Sequence, residues 1–150
     1  MDALEIALAL ARRFEGLYLT PYLCPAGVPT IGYGATYYEN GARVALSDPA
    51  ISRGRADSLL LWHVKTVYMP AVMQLCPEVK DAGLLAALID FTFNLGAGNL
   101  RGSTLRKRVR SGDWDALPTE FRKWNKAGGR VLRGLVLRRE AEILALAQNG

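Results

Sequence analysis

Hydrophobic residues near the start of the chain recur at helical spacing, and this period is lost after residue 16. The spacing predicts a short amphipathic helix that ends near Glu15-Gly16, with apolar positions at Leu4, Ala7, Leu8, Ala11 and Phe14. Between residues 17 and 44, short runs rich in Tyr, Thr, Ile and Val are separated by proline and glycine. That pattern is typical of a small antiparallel sheet with tight turns.

Beyond Asp48-Pro49 the helical period returns and persists along the chain. Ser52 is a suitable N-cap for a first helix, which Pro70 is expected to end or kink. Residues 82–95 are apolar on nearly every face, which indicates a buried central helix. Further helices are predicted to begin near Ser103 or Thr104, near Asp113, and at about Leu135 after the Gly128-Gly129 break, the last running to about Ala147.

The order of these elements predicts an α+β fold that is mainly helical. A small antiparallel β lobe, at about residues 17–46, lies between the N-terminal helix and a larger helical lobe at about residues 50–148. A chain of 150 residues and 16.4 kDa suits a single domain over residues 1–150. A cleft between two such lobes is a natural place for a ligand.

Positive charge is concentrated in the last third of the chain, although the whole chain carries only +5. Residues 101–150 contain 12 Lys and Arg against 5 Asp and Glu, a net charge of +7. Such a region attracts polyanions, whether nucleic acid, an anionic membrane face or an acidic cell-wall polymer. We interpret the basic tract at residues 106–110 as the solvated face of a helix, so no nucleic-acid partner is expected.

No membrane-spanning segment or export signal is expected. The longest uninterrupted apolar run, residues 84–89, is far shorter than the roughly 20 residues that cross a bilayer. The apolar N-terminal stretch follows Asp2 and ends in Arg12-Arg13, whereas a secretory signal begins basic and ends at small residues.

Metal and cofactor sites are not expected either. His63 is the only histidine and is interpreted as a structural or surface residue, because no recognisable ligand spacing joins it to Cys24 or Cys76. Residues 96–102 begin like a dinucleotide fingerprint, but Arg101 stands where the third glycine belongs. Two cysteines are too few for a disulfide scaffold.

Three residues around the predicted sheet have side chains suited to catalysis. Glu15 lies at a helix end beside apolar neighbours, where a carboxyl can stay protonated near neutral pH and act as a general acid. A hairpin can bring Cys24 and Thr30 across a cleft from it. Residue types alone leave another interpretation open, in which Glu15 is a helix-end charge, Cys24 a small buried hydrophobe and Thr30 a strand former.

Glu15, Cys24 and Thr30, at separations of nine and six residues, resemble the Glu–Asp/Cys–Thr triad of the phage-type lysozymes of glycoside hydrolase family 24, the muramidase endolysins. Residues 29–34 are similar to the family signature that follows the triad cysteine or aspartate. Segments at 93–98, 103–105, 124–129 and 134–142 also resemble the family, in the same order. The resemblance covers about residues 14–144.

The resemblance implies a lysozyme-like fold that hydrolyses the β-1,4 bond between N-acetylmuramic acid and N-acetylglucosamine in peptidoglycan. Glu15 would be the general acid, Cys24 the nucleophile or water activator, and Thr30 would position water or substrate. A thiol is only slightly ionised at pH 7, and a nearby Glu15 carboxylate would disfavour ionisation further. The resemblance also implies substrate binding by Tyr33, Gly34, Phe93, Asn94, Thr104, Arg138 and Arg139, with Arg138 or Arg139 pairing with Glu15.

The chain departs from the family pattern at Ala35, where many members have histidine, and Cys24 marks a variant of the triad. Some members with this cysteine are held inactive by a membrane anchor and a disulfide. A Cys24–Cys76 disulfide would silence the thiolate here, but two lone cysteines do not establish proximity. Either a holin releases the chain or an anchoring segment is missing from it.

The implied setting is the host cytoplasm until lysis and then periplasmic peptidoglycan, with the chain acting as a monomer. The basic third would assist contact with anionic cell surfaces. Two rival functions stay open: a lytic transglycosylase, which cleaves the same bond without water, and a non-catalytic helical domain that binds cell wall or nucleic acid.

Overall fold

The structure, a computed structural model, describes residues 1–146 and is mainly helical with small antiparallel sheets, as predicted. Its elements in chain order are α1 (Ala3–Glu15), β1 (Tyr18–Leu23), β2 (Pro29–Gly32), α2 (Arg53–His63), a π-helical turn (Val64–Tyr68), α3 (Met69–Leu75), α4 (Ala82–Leu95), α5 (Ala97–Arg101), α6 (Thr104–Ser111), a 3₁₀ turn (Trp114–Ala116), α7 (Leu117–Arg122), β3 (Lys126–Ala127), β4 (Arg130–Val131) and α8 (Arg133–Leu146).

Helix α1 begins and ends where the sequence predicts. Asp2 and Glu5 form a capping box, in which each side chain accepts a hydrogen bond from the other residue's backbone N–H. Gly16 ends the helix with a φ of 72°, which glycine adopts without steric cost. The helix therefore stops with Glu15 as its last residue.

The predicted sheet is the β1–β2 hairpin, extended by isolated bridges from Ile31 to Ala35 and from Tyr37 to Arg43. Tyr22 lies opposite Thr30 in this hairpin, and the register shifts between Tyr18 and Tyr22. The connecting loop turns tightly, because the N–H of Gly27 donates to the carbonyl of Cys24 at 2.8 Å.

Of the two outcomes predicted for Pro70, an end of the helix is wrong, because the helical path continues through a π turn to Leu75. Proline lacks an N–H and its ring crowds the carbonyl four residues earlier. The wider π turn accommodates this, with the N–H of Met69 donating to Val64, five residues back. Pro70 then lies in the first turn of α3, where its missing donor costs little.

Two apolar clusters hold the fold together. The larger one surrounds α4, in which residues 86–89 and Phe91 have no solvent exposure, and α1 and α8 pack against it. The smaller one underlies the sheet and consists of Ile31, Ala35, Val44 and Leu59. The buried central helix is therefore confirmed.

Local interactions set several helix and strand boundaries that the sequence pattern left open or placed differently. Ser103 rather than Thr104 caps α6, and Asp113 precedes a 3₁₀ turn rather than starting α7 directly. Gly128-Gly129 is the turn of the β3–β4 hairpin, with φ of 59° and 77°. Helix α8 begins at Arg133, and its predicted end at Ala147 lies outside the described residues.

Both cysteines are free thiols, Cys24 partly exposed and Cys76 buried. Over residues 1–146, no helix has the length and apolar character needed to cross a bilayer.

Candidate active site

Glu15 lies at the end of α1 where two pockets meet. One pocket, of about 170 Å³, lies between the sheet region and the helices, and the other, of about 340 Å³, lies toward the start of α8. Glu15 and Asn94 line both pockets. The Glu15 side chain is 22% exposed, so its carboxyl is accessible but largely surrounded by protein.

Most of the residues predicted to bind substrate line these pockets. Tyr33, Gly34, Phe93 and Asn94 lie in the smaller pocket, and Arg138 lies in the larger one. Gly34 lies close to the acid, since a Cβ added there would be 3.0 Å from Oε1 of Glu15.

Two predicted binding residues lie elsewhere. Thr104 is exposed at the start of α6, and neither pocket wall includes it. Arg139 has no solvent exposure and donates instead to Glu142 and to Oδ1 of Asn94, at 3.0 and 2.8 Å. Its place is behind the pocket wall, where it orients Asn94.

Arg138 is the residue that pairs with Glu15. Its Nη1 donates to Oε2 of Glu15 at 2.6 Å, and its Nε and Nη2 donate to the two carboxylate oxygens of Asp90 at 2.9 and 2.8 Å. Burial disfavours the Arg138 charge, but the hydrogen bonds and charges of Asp90 and Glu15 outweigh it and raise the pKa of the guanidinium. Arg138 therefore stays charged and anchors one oxygen of Glu15.

Cys24 and Thr30 are neighbours in the β1–β2 hairpin. The pKa of the Cys24 thiol is lowered mainly by the Val28 backbone N–H, against some desolvation and with smaller contributions from Ala26 and the Thr30 hydroxyl. Thr30 is 2% exposed, and its Oγ1 donates to the Val28 carbonyl at 2.8 Å. Because a hydroxyl has one proton, Thr30 can donate a hydrogen bond to that carbonyl or to the Cys24 sulfur, but not to both at once.

The direction of the Cys24 shift reverses the expectation from sequence. Backbone donors in the tight loop favour the thiolate, and this effect was not readable from residue types. Burial and then Tyr18 raise the pKa of the Tyr22 phenol, and Cys24 and Glu15 raise it further. The phenol of Tyr22 thus lies within electrostatic reach of both groups.

Sequence reasoning missed several residues of the smaller pocket. Tyr37 and Tyr68 line it, as does His63, which was interpreted only as a structural or surface residue. His63 is 5% exposed and bonds through Nε2 to the Tyr37 carbonyl at 3.0 Å, so the structural interpretation holds, while burial lowers the pKa of its ring. Leu59, Leu60 and His63 share one face of α2, a periodic signal that pointed to burial but not to a pocket.

Among residues 1–146 there is no group of three or more His, Cys, Asp or Glu side chains placed to hold a metal ion. The groups around Glu15 are instead a guanidinium, phenols and an amide, which can bind a polar uncharged ligand such as a sugar through hydrogen bonds and ring faces.

Comparison with known proteins agrees with this geometry. The family model described as "Phage lysozyme" matches residues 12–142, a range that includes Glu15, Cys24 and Thr30. Of these three residues, Glu15 lines the two pockets, and Cys24 and Thr30 are not among the residues that line them. The chain belongs to the phage lysozyme family. It is thus a glycosidase of the lysozyme type.

Relatives and solved structures support that assignment. The endolysin of Bacillus phage B103 is 33% identical over 95% of this chain, which spans about half (52%) of that protein's length. The endolysin of Acyrthosiphon pisum secondary endosymbiont phage 1 is 34% identical over 95% of both chains. The endolysin from Escherichia coli O157:H7 phage FAHEc1 superposes with a TM-score of 0.87 at 28% identity, covering 100% of this chain and 96% of that one.

Proposed function

We propose that this phage lysozyme hydrolyses the β-1,4 bond between N-acetylmuramic acid and N-acetylglucosamine in bacterial peptidoglycan, and so lyses the host cell. The observation that carries the proposal is the position of Glu15, where two pockets meet with one carboxylate oxygen anchored by Arg138. A glycan lying through both pockets would present a glycosidic oxygen to this carboxyl.

Glu15 acts as the general acid that protonates the leaving oxygen. Arg138 binds Oε2, so Oε1, on the side facing Gly34, is the oxygen left to carry the proton. Bond cleavage develops positive charge on the sugar ring, which is oxocarbenium-like in the transition state. The acid supplies the proton as the bond breaks, and the remaining sugar then needs a nucleophile.

Cys24 supplies that nucleophilic function, and Thr30 positions it. The lowered thiol pKa increases the thiolate fraction. The thiolate either takes a proton from water as the water attacks the anomeric carbon, or attacks that carbon itself to form a thioglycoside that water later hydrolyses. The Thr30 hydroxyl, which contacts both Cys24 and the loop carbonyl, holds the water or the sulfur in place.

The decisive experiment measures reducing ends released from purified peptidoglycan by wild type and by Glu15→Gln. The expected result is loss of at least about a hundredfold in rate, the usual contribution of a general acid, with folding retained. Glu140→Gln is the matched control, because it disrupts another 2.6 Å arginine pair, Arg122–Glu140, on the surface. Wild-type rates in Glu15→Gln would remove the assignment.

Product chemistry separates hydrolysis from the transglycosylase alternative. Hydrolysis adds water and leaves a reducing N-acetylmuramic acid, whereas a transglycosylase leaves an anhydro sugar lighter by one water. Mass spectrometry of the released fragments is expected to show only hydrated ends. Cys24→Asp is expected to retain substantial activity and Cys24→Ala to lose it, because a carboxylate can replace the thiolate.

The anionic surface contact is assigned to a basic pocket on α5 and α6, of about 470 Å³. It is lined by Glu78, Arg101, Arg106, Lys107, Arg110 and Ser111. The carbonyls of Leu75 and Arg101 hold the Arg106 guanidinium in place. Glu78, 3.2 Å from Arg110, is the one carboxylate among these lining residues, so the pocket keeps a positive excess.

Exposed attraction of this kind is screened within about 8 Å at physiological ionic strength. Lysis of permeabilised cells is therefore expected to slow as the salt concentration rises. Lys107→Glu should reduce that salt dependence. Lys126→Glu, which lies outside the pocket, should leave it unchanged. Lysis that is indifferent to salt would contradict the assignment. We further propose that the chain acts as a monomer, which light scattering tests. We also propose that it stays in the host cytoplasm until lysis, which cell fractionation tests.

A further inference from the structure

Two tyrosines form a stacked pair on strand β1. The ring centroids of Tyr18 and Tyr22 lie 4.1 Å apart, and the ring planes are tilted by 32°. Tyr18 is 48% exposed and Tyr22 is half-buried. Neither ring belongs to the two apolar clusters that hold the fold together, and neither residue is among those that line the two pockets around Glu15. The pair is therefore an aromatic surface that the core does not use.

A bulge in β1 brings the two rings together. Tyr18 and Tyr22 are four residues apart, but they lie opposite Gly32 and Thr30, which are only two residues apart in β2. Residues 19–21 therefore arch out of the ladder. Residues two apart in a strand point to the same face and are separated by about 7 Å. The bulge thus places both tyrosines on one face of the hairpin, close enough for their rings to stack.

Backbone chemistry supports this bulge. The N–H of Ile51 donates to the carbonyl of Leu19 at 2.9 Å, which ties the bulged segment to the chain just before α2. Pro21 has no N–H, so its departure from the ladder leaves no donor of its own unpaired. The stacked rings therefore stand on an anchored piece of backbone.

The Tyr18 ring lies against the end of the helix that carries the candidate acid. A Cβ added at Gly16, the residue after Glu15, would be 3.7 Å from Cε2 of Tyr18. This is ordinary van der Waals contact. The exposed ring of the pair thus borders the point where α1 ends.

Tyr22 lies on the hairpin side of the same site. It is directly opposite Thr30, and directly opposed residues share one face of an antiparallel pair. Cys24 follows two residues later in the chain. Burial and then Tyr18 raise the pKa of the Tyr22 phenol, and Cys24 and Glu15 raise it further. The stacked pair therefore borders all three candidate catalytic residues.

Such a surface suits a sugar ring. A pyranose presents C–H bonds on its faces and hydroxyls at its rim, so it can lie on an aromatic ring while its polar groups stay hydrated. Tyrosine combines an apolar ring with a polar tip, and aromatic side chains commonly line the sites of small ligands. A glycan held at Glu15 therefore has an aromatic face available on the hairpin side.

We propose that Tyr18 is a substrate-binding residue whose ring, stacked on Tyr22, forms a platform for one N-acetylated sugar of the glycan. This rests on the proposed hydrolysis of peptidoglycan at Glu15. The platform holds a sugar on the hairpin side of the scissile bond, and Tyr22 fixes the orientation of the Tyr18 ring through the stack. Because this contact lies away from the reacting atoms, it strengthens binding of substrate and transition state alike.

The first test compares Tyr18→Leu and Tyr18→Phe with wild type on soluble peptidoglycan fragments. Leucine keeps apolar bulk but removes the flat ring, so KM should rise about two- to tenfold, the range of one aromatic contact, with kcat unchanged. Phenylalanine keeps the ring, so Tyr18→Phe should retain the KM of wild type. Trp114→Leu is the matched control, because Trp114 is also exposed, at 56%, and is not among the residues that line either pocket.

A purely structural role for the stack predicts a different result. Tyr18→Leu would then unfold at a lower urea concentration than wild type and keep the KM of wild type. That outcome would overturn the proposal. An equal rise of KM in Trp114→Leu, or a KM for Tyr18→Phe as high as that of Tyr18→Leu, would also overturn it.

The second test needs neither turnover nor a leucine variant. Soluble peptidoglycan fragments are added to Glu15→Gln protein that carries carbon-13 in its tyrosine rings, and the Tyr18 signals are assigned by their loss in Tyr18→Phe. The ring signals of Tyr18 and Tyr22 should shift as the fragment binds, together with those of Tyr33 in the smaller pocket. A shift of Tyr33 without one of Tyr18 would overturn the platform.

Failure of the platform and failure of the proposed function give different results. Full activity of Glu15→Gln would remove the acid, whatever the tyrosine signals show. The KM of wild type in a folded Tyr18→Leu protein would remove only the platform and leave the role of Glu15 intact.

Discussion

Gly34 lies so close to Glu15 that a Cβ added to the glycine would be 3.0 Å from Oε1 of the carboxyl. Gly34 also has a φ of 85°, a conformation that side chains rarely adopt. The position therefore favours glycine for two separate reasons, one in the backbone and one in the active site. A substitution there can be designed to separate them.

Gly34→Ala is expected to lower kcat/KM by at least about tenfold, because the new methyl group displaces the oxygen that carries the catalytic proton. The positive φ should also cost about 1–2 kcal/mol of stability. Gly41→Ala is the matched control: Gly41 has the same φ of 85° and no atom within 4 Å of an added Cβ. Equal loss of activity in both variants would mean that strain, rather than contact with Glu15, is responsible.

The contact between α4 and α8 gives a prediction about stability alone. A Cβ added at Gly83 would clash with the backbone carbonyl oxygen of Ala145. Gly83→Ala should therefore push the helices apart and destabilise the protein by roughly 1–3 kcal/mol, despite the better helix propensity of alanine. Gly98→Ala, in α5 with nothing within 4 Å, should be neutral or stabilising by up to about 1 kcal/mol.

Urea unfolding of the two variants measures this difference. The midpoint should fall for Gly83→Ala and hold or rise for Gly98→Ala. A Gly83→Ala protein as stable as wild type would show that the helices can separate without loss of packing.

The sequence predicted the parts of the fold that depend on local pattern. The helical period of residues 3–14 and the N-cap at Ser52 act through residues that are close in sequence, and both predicted helices are present. Pro70 shows the limit, because the outcome at a helix proline depends on whether neighbours support a wider turn. The π turn that ends at Tyr68 has no distinct residue pattern and was not predicted.

The site was predictable where motifs carry it and not where partners are distant in sequence. Family motifs located Glu15, Gly34 and Asn94, which do line the pockets. They could not decide between Arg138 and Arg139, because adjacent residues on a helix point about 100° apart and the choice depends on the orientation of α8. The thiol pKa of Cys24 depends on loop N–H groups, which residue types do not reveal.

His63 gives a pH prediction with a defined sign. Burial lowers the pKa of its ring in the folded protein, so the unfolded chain binds the proton more readily. Its contribution to stability is present above the unfolded pKa of about 6.5 and is lost as pH falls below it, at up to about 1.4 kcal/mol per pH unit.

Urea midpoints measured between pH 7.5 and 5 check this dependence against His63→Gln. Because the chain has one histidine, the difference between the two curves near pH 6.5 reports that side chain. Wild type should lose more stability on acidification than the variant. Parallel curves would contradict a lowered pKa.

Tyr68, which lines the smaller pocket, provides the last prediction. The ring packs edge-on against Phe93, with centroids 5.1 Å apart, and Glu15 is among the groups that raise the pKa of the phenol, after burial and Tyr37. Tyr68→Phe keeps the ring and removes only the hydroxyl. Stability should change by less than about 0.5 kcal/mol, while KM for soluble glycan fragments rises several-fold because a hydrogen bond to the sugar is lost.

Tyr38→Phe is the complementary variant. The Tyr38 hydroxyl donates to Asp48 at 2.7 Å, and burial with this bond raises the pKa of the phenol to about 12. Its removal should cost about 1 kcal/mol of stability and leave KM unchanged. Each variant removes one phenol oxygen, so the two can be compared directly. If Tyr68→Phe lowered stability and Tyr38→Phe raised KM instead, the sugar contact would lie outside this pocket.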